Sequence, residues 1–265
     1  MQPEIDVLGL PIKTFGLCFA LGFLAAGAVI HRRMRETGKP VDWAYEMIFA
    51  ALAGGVIGAR LVWILENPDR VDGFGDVFGT TGLVWYGGVL GGALFVVIWA
   101  HWRGWLNMTT FDMAAVPLAL GNAIGRVGCQ LAGDGDYGKA WNGPWAMGYP
   151  DGTVPTAPGE TVHPTPIYET VAMGLIAWVL WSLRDRVRPG ALFALWLGLA
   201  GVERLLVEFL RRNDELALGL TLPQWQSLAM IAGSILWLVL LRRRHGSVLL
   251  PRGETYPGTP APAPA

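Results

Sequence analysis

The sequence predicts an all-α integral membrane protein: a bundle of about seven transmembrane helices with an irregular head loop on its outer side. Three observations predict it. The chain is 52% hydrophobic and only 15% charged, where a soluble domain carries about 25% charged residues. Its apolar residues gather in runs of roughly 20, the length that crosses a bilayer as a helix. Its lysines and arginines fall mostly on one set of the loops between those runs.

The spans are expected at about residues 12–30, 43–65, 82–100, 109–127, 167–183, 191–210 and 222–241. No basic region precedes the first, and Arg32 and Arg33 follow it, so it reads as a span rather than a cleaved signal. The second and third carry "GGVIGAR" and "YGGVLGG", where small residues at this spacing let helix backbones approach closely. That reading covers Gly54, Gly58, Gly91 and Gly92. The fourth span ends near Arg126 and breaks into "GRVGCQLAGDGDYG". The segment 128–166 holds six prolines, from Pro144 to Pro166, and many glycines, so irregular backbone is expected there. Trp141, Trp145 and Tyr149 suit an ordered head at the membrane surface. The transmembrane domain with its head is bounded at 1–245, and 246–265 is read as a flexible cytoplasmic Pro/Ala-rich tail.

The orientation follows from the cations. Arg32, Arg33, Arg35 and Lys39 share a side with Arg103, with Arg184, Arg186 and Arg188, and with Arg242, Arg243, Arg244 and Arg252. Lys13, Arg70, Lys139, Arg211 and Arg212 lie opposite. The positive-inside rule puts the richer side and the C-terminus in the cytoplasm and the N-terminus outside. Acids collect outside: Glu66, Asp69, Asp72 and Asp76 in one loop, and Asp134, Asp136, Asp151 and Glu160 in the head. The net charge of −1 gives no ground for a nucleic-acid partner. Two cysteines, Cys18 and Cys129, make no disulfide framework. Without an internal repeat, the inverted-repeat transporter class is disfavoured.

Three arginines fall within spans: Arg60, Arg126 and Arg204. An arginine near a helix centre costs about 2.5–3.5 kcal/mol on insertion scales, so such a residue has a buried polar task. In "GVERLLVEFLRRND", Arg204, Glu208 and Arg211 share one helical face. Two readings fit: a salt-bridge ladder joining helices, or a polar cavity open to the outer leaflet in which guanidiniums grip an anion. Their planar forks match phosphate oxygens, and a phospholipid headgroup is the simplest such anion. A carboxylate substrate or a buried acid also fits.

At these residues the chain resembles the prolipoprotein diacylglyceryl transferase family. The motifs, in order, are "GARLVWIL", "YGGVLGG", "GNAIGRVGCQLAGDGDYG", "PWAMGYP", "VHPTPIYE" and "ERLLVEFLRRND". The resemblance implies a seven-helix bundle with a periplasmic head in the bacterial inner membrane. It also implies transfer of a diacylglyceryl group from phosphatidylglycerol to the lipobox cysteine of a prolipoprotein signal peptide, with release of glycerol phosphate and no cofactor. Arg126 and Arg204 would hold the headgroup, Glu208 would orient Arg204, and Asp134 would take the place of the signature's acid. Arg60 and the room beside Gly87 and Gly88 would also face the lipid.

The sequence departs from the family pattern at Tyr86, where a histidine assigned as base is common, at Cys129, commonly Asn, and at Phe15, commonly Tyr. Of the four histidines, only His163 faces outward. It is either a substitute base or, the favoured reading, a structural pin for the head. Tyr86, with an ordinary pKa near 10, is a poor base. Cys129 reads as a small residue at a helix break rather than a nucleophile. Asp134 and Asp136 lack a histidine partner and EF-hand spacing, so no metal is expected. The departures leave two alternatives, a homologue serving another acceptor or group and, from another class, an anion transporter.

Overall fold

The computed structural model describes residues 1–7, 10–70 and 84–259. Among them are seven long helices: α1 Thr14–Glu36, α2 Asp42–Glu66, α3 Trp85–Trp102, α4 Met108–Ala132, α5 Thr165–Leu183, α6 Ala191–Glu208 and α7 Leu222–His245. Each expected span coincides with one of them, although residues 82–83 of the third, like Asp72 and Asp76, lie outside the described residues. By length and composition α1, α2, α3, α5 and α7 can cross a membrane. The other two hold more charge along their length, Asp112 and Arg126 on α4 and Glu203, Arg204 and Glu208 on α6. This is a multi-pass helical membrane protein.

The helices pack chiefly as α2 on α3, α1 on α4, α4 on α5 and α6 on α7. Glycines fix the first of these pairs. A methyl group added at Gly58 would run into the carbonyl of Gly87 and stand 2.8 Å from the Gly91 Cα, and one at Gly91 would meet the Gly54 carbonyl. Gly87 belongs to this seam as well, buried against Gly58 and Val62, while Gly88 faces Gly55 and Ala59. Both glycines therefore close a helix–helix contact instead of clearing room for a headgroup.

Two short antiparallel hairpins, with no signal in the helical periodicity, flank the bundle. β1 (Glu4–Val7) pairs with β2 (Leu10–Lys13) before α1, and β3 (Glu215–Ala217) with β4 (Leu220–Thr221) before α7. Thr221 then caps α7, exchanging hydrogen bonds with Gln224.

Three boundaries differ from expectation. α4 continues to Ala132 and stops where Gly133 turns left-handed (φ 59°), so Arg126 stands well inside a helix rather than at its end. The head therefore begins at 133 rather than 128. Its centre is Tyr149, fully buried, stacked on Tyr137 at 4.8 Å and donating from its hydroxyl to Gln130 Oε1 at 2.8 Å. α6 ends at Glu208, which takes Arg211 off the helical face it was expected to share with Arg204. The tail is docked as far as Thr259. Val187 and Leu249 form a bridge, and buried Tyr256 donates from its hydroxyl to Asp112 Oδ2 at 3.0 Å. Of the tail, "PAPAPA", 260–265, lies outside the described residues.

Candidate functional site

Four segments meet at the head end of the bundle, each bringing charge. α4 supplies Arg126, α5 Glu169, α6 Arg204 and Glu208, and the chain after α6 Arg211. The head loop contributes Asp136, which ion-pairs with Arg126 through one oxygen and with Arg211 through the other. Glu169, 1% exposed, is the hub. It lies 3.2 Å from Arg126 Nε, 2.9 Å from Arg204 Nη1 and 3.5 Å from Arg211 Nη1. Glu208 takes Arg204 Nη2 at 2.8 Å, while its other oxygen accepts from Asn213 Nδ2 and Thr221 Oγ1, both at 2.7 Å. Three guanidiniums thus face three carboxylates in a half-buried cage.

The carboxylates differ in access. The Glu169 and Glu208 side chains are at most 2% exposed, whereas Asp136, on the loop, is 30% exposed. Burial alone would raise the Asp136 carboxyl, but the Arg126 and Arg211 guanidiniums outweigh it and hold this group below its ordinary range. Its neighbour Asp134 goes the other way. Burial, then the negative charge of Asp136, pushes the Asp134 carboxyl up. Asp134 faces Cys129 and accepts the Asp136 backbone N–H at 3.3 Å, and it forms no ion pair among the described residues. The head is tied to the cage from outside. Lys139 N–H donates to Leu210 O at 2.7 Å, Arg212 Nε to Gly138 O at 2.8 Å, and Thr165 Oγ1 to Asp136 O at 2.5 Å.

The structure brings together Arg126, Arg204 and Glu208 as expected, with Glu208 holding Arg204. It places Asp136, not Asp134, on the arginines. His163 is stacked on Trp141 (4.3 Å, 10°) with Nδ1 3.3 Å from the Tyr168 hydroxyl, and its backbone pairs with Gly138 and Lys139. These contacts pack His163 into the head. Tyr86 is 42% exposed at the start of α3, its ring edge-on to Trp85. Arg60 is buried on α2 with its guanidinium 4.2 Å over Trp63. Asp112 is occupied at the other end of the bundle, accepting the N–H groups of Gly190 and Phe193 at 2.7 and 2.9 Å.

Glu169, Asp136 and Glu203 carry weight that the basic residues alone did not reveal. Glu203 is buried beside its helix neighbour Arg204, with Oε1 lacking a hydrogen-bond partner. A search of the spans for carboxylates as well as guanidiniums finds both glutamates. Cys129 Sγ, Asp134 and Asp136 lie within 4.8 Å of one another, near enough to share a cation. Both oxygens of Asp136 are already committed to Arg126 and Arg211, and it is these guanidiniums that suit an anion.

The family model "Prolipoprotein diacylglyceryl transferase" matches residues 3–240. Curated relatives carry the name phosphatidylglycerol–prolipoprotein diacylglyceryl transferase. One from Clostridium tetani is 32% identical over 80% of this chain and 86% of its own. One from Burkholderia cenocepacia is 32% identical over 90% and 93%, and one from Bordetella parapertussis 30% identical over 91% and 97%.

Proposed function

The chain belongs to the prolipoprotein diacylglyceryl transferase family, and from that premise we propose how its arginine cage carries out the transfer. It is a transferase of the first step of lipoprotein maturation, moving a diacylglyceryl group from phosphatidylglycerol to a prolipoprotein. The acceptor is the thiol of the lipobox cysteine in the signal peptide, and glycerol phosphate leaves. The protein lies in the inner membrane with the cage on the outer side.

One observation supports this best: Asp136 occupies the forks of Arg126 and Arg211 from a loop, while the carboxylates beneath it are sealed in. A phosphodiester presents the same oxygens to the same forks, and it displaces Asp136 without disturbing Glu169 or Glu208. Arg126 and Arg211 then hold the phosphate, and Arg204 completes the grip. As the glyceryl C–O bond breaks, charge grows on the departing phosphate. Guanidiniums already fixed by Glu169 and Glu208 meet that charge without reorganising, in a site poor in water.

The transfer is a single displacement. An intermediate on Cys129 would be a thioether, which does not release its carbon to a second thiol. Cys129 is also buried in the last turns of α4.

The test is a reconstituted assay with phosphatidylglycerol and a lipobox peptide. Wild type adds the diacylglyceryl mass to the peptide and releases glycerol phosphate in equal amount. Arg126→Ala, still folded, loses about 10²–10³ in turnover, as for a removed transition-state donor. Full turnover in that variant would sink the assignment.

A further inference from the structure

The reaction must also dispose of the acceptor's thiol proton, since only a thiolate attacks well and a free cysteine has a pKa near 8.5. The position of family histidine bases is Tyr86 here, and His163 is stacked into the head. Asp136, Glu169 and Glu208 are tied to arginines, and Glu203 Oε1 is sealed from solvent. Among the described residues, the carboxylate at the mouth of the cage that forms no ion pair is Asp134.

We propose that Asp134 is the general base that takes the proton from the acceptor thiol, an assignment that rests on the transferase reading above. Its position carries the argument. The carboxylates of Asp134 and Asp136 lie within 4.8 Å of each other, so a phosphate that replaces Asp136 on the arginines sits beside Asp134. The carbon under attack is joined to that phosphate by a single ester oxygen. The incoming sulfur therefore arrives within reach of Asp134, and Arg126, about two turns below, stays with the phosphate. The loop is built to present the carboxylate: left-handed Gly133 (φ 59°) and Gly135 (φ 93°) bracket it at the end of α4. A thiol already lies beside this side chain in the resting protein, Cys129 Sγ, within 4.8 Å of the carboxylate.

Burial and the negative charge of Asp136 raise the Asp134 carboxyl, which makes it a stronger proton acceptor than an exposed aspartate. When phosphate takes the place of Asp136, a negative charge remains beside it. The charged and titratable groups around it are Asp136, Cys129, Arg126 and Tyr149. The step balances. Asp134 accepts the S–H proton, the sulfur pair forms the C–S bond, and the C–O pair stays on the phosphate oxygen. The proton then passes to glycerol phosphate or water, restoring the carboxylate.

The experiment compares wild type, Asp134→Asn and Asp134→Glu in the same assay between about pH 6 and 9.5, spanning the thiol's titration. Asp134→Asn should lower kcat by ~10²–10⁴ at neutral pH and leave KM for phosphatidylglycerol unchanged. It should regain activity relative to wild type as the thiol ionises unaided, and Asp134→Glu should keep a base. A raised KM with kcat intact would make Asp134 a headgroup contact and overturn the assignment. So would a loss that is the same at every pH. Alkylation of the bound lipobox peptide, without phosphatidylglycerol, separates this from the transferase reading. A thiol that reacts faster on wild type than on Asp134→Asn supports the base even if no lipid is transferred. Equal rates count against it.

Discussion

Glu169 balances three guanidiniums from one buried carboxylate. Removing one partner of a buried ion pair is worse than removing all of them, because the remaining charges stay desolvated. Glu169→Gln should therefore cost about 3–5 kcal/mol of stability as well as activity, seen as a lower thermal midpoint in detergent or nanodiscs. An unchanged midpoint would mean the arginines are satisfied without it. At this scale the sequence was readable for cations and less so for acids. Arg126 and Arg204 stand out in apolar helices, and Glu208 is one turn from Arg204. Asp136 joins them only because a loop folds back onto α4, a relation that no spacing encodes.

The helices themselves were legible almost to their ends, since apolar runs of bilayer length leave few alternatives. What misled was the end of α4. Arg126 and the glycines after it look like a terminus, yet Gly128 packs in the helix against Cys18 and Phe15 of α1, and the turn waits for Gly133. The glycine seam of α2 and α3 was legible from spacing, except that Gly87 belongs to it. Its close contact gives a test. Gly58→Ala places a methyl against the Gly87 carbonyl, and overpacking of this kind costs typically 1–3 kcal/mol, about the scale expected here. Gly174→Ala, with nothing within 4 Å of its added carbon, should leave the midpoint unchanged or raise it. Equal behaviour of the two variants would count against the seam.

For the whole molecule, the charge asymmetry of the loops makes a statement about sides. A membrane-impermeant thiol reagent applied to intact cells should label a cysteine replacing exposed Trp145 and spare one replacing Ser247 until the membrane is opened. The reverse pattern would turn the protein over and put the cage on the cytoplasmic face. The same experiment touches the docked tail, whose Pro/Ala composition disguised both its β-bridge to Val187 and its aromatic anchor, Tyr256. That anchor lies under the Arg33 guanidinium of α1, against Asp112 of α4, which in turn receives the first N–H groups of α6. Tyr256 leaves the ribosome after all seven helices have been made. The bolt at the end of the bundle away from the cage is therefore the last part of it to be made, and through Asp112 it joins α1, α4 and α6 at one point.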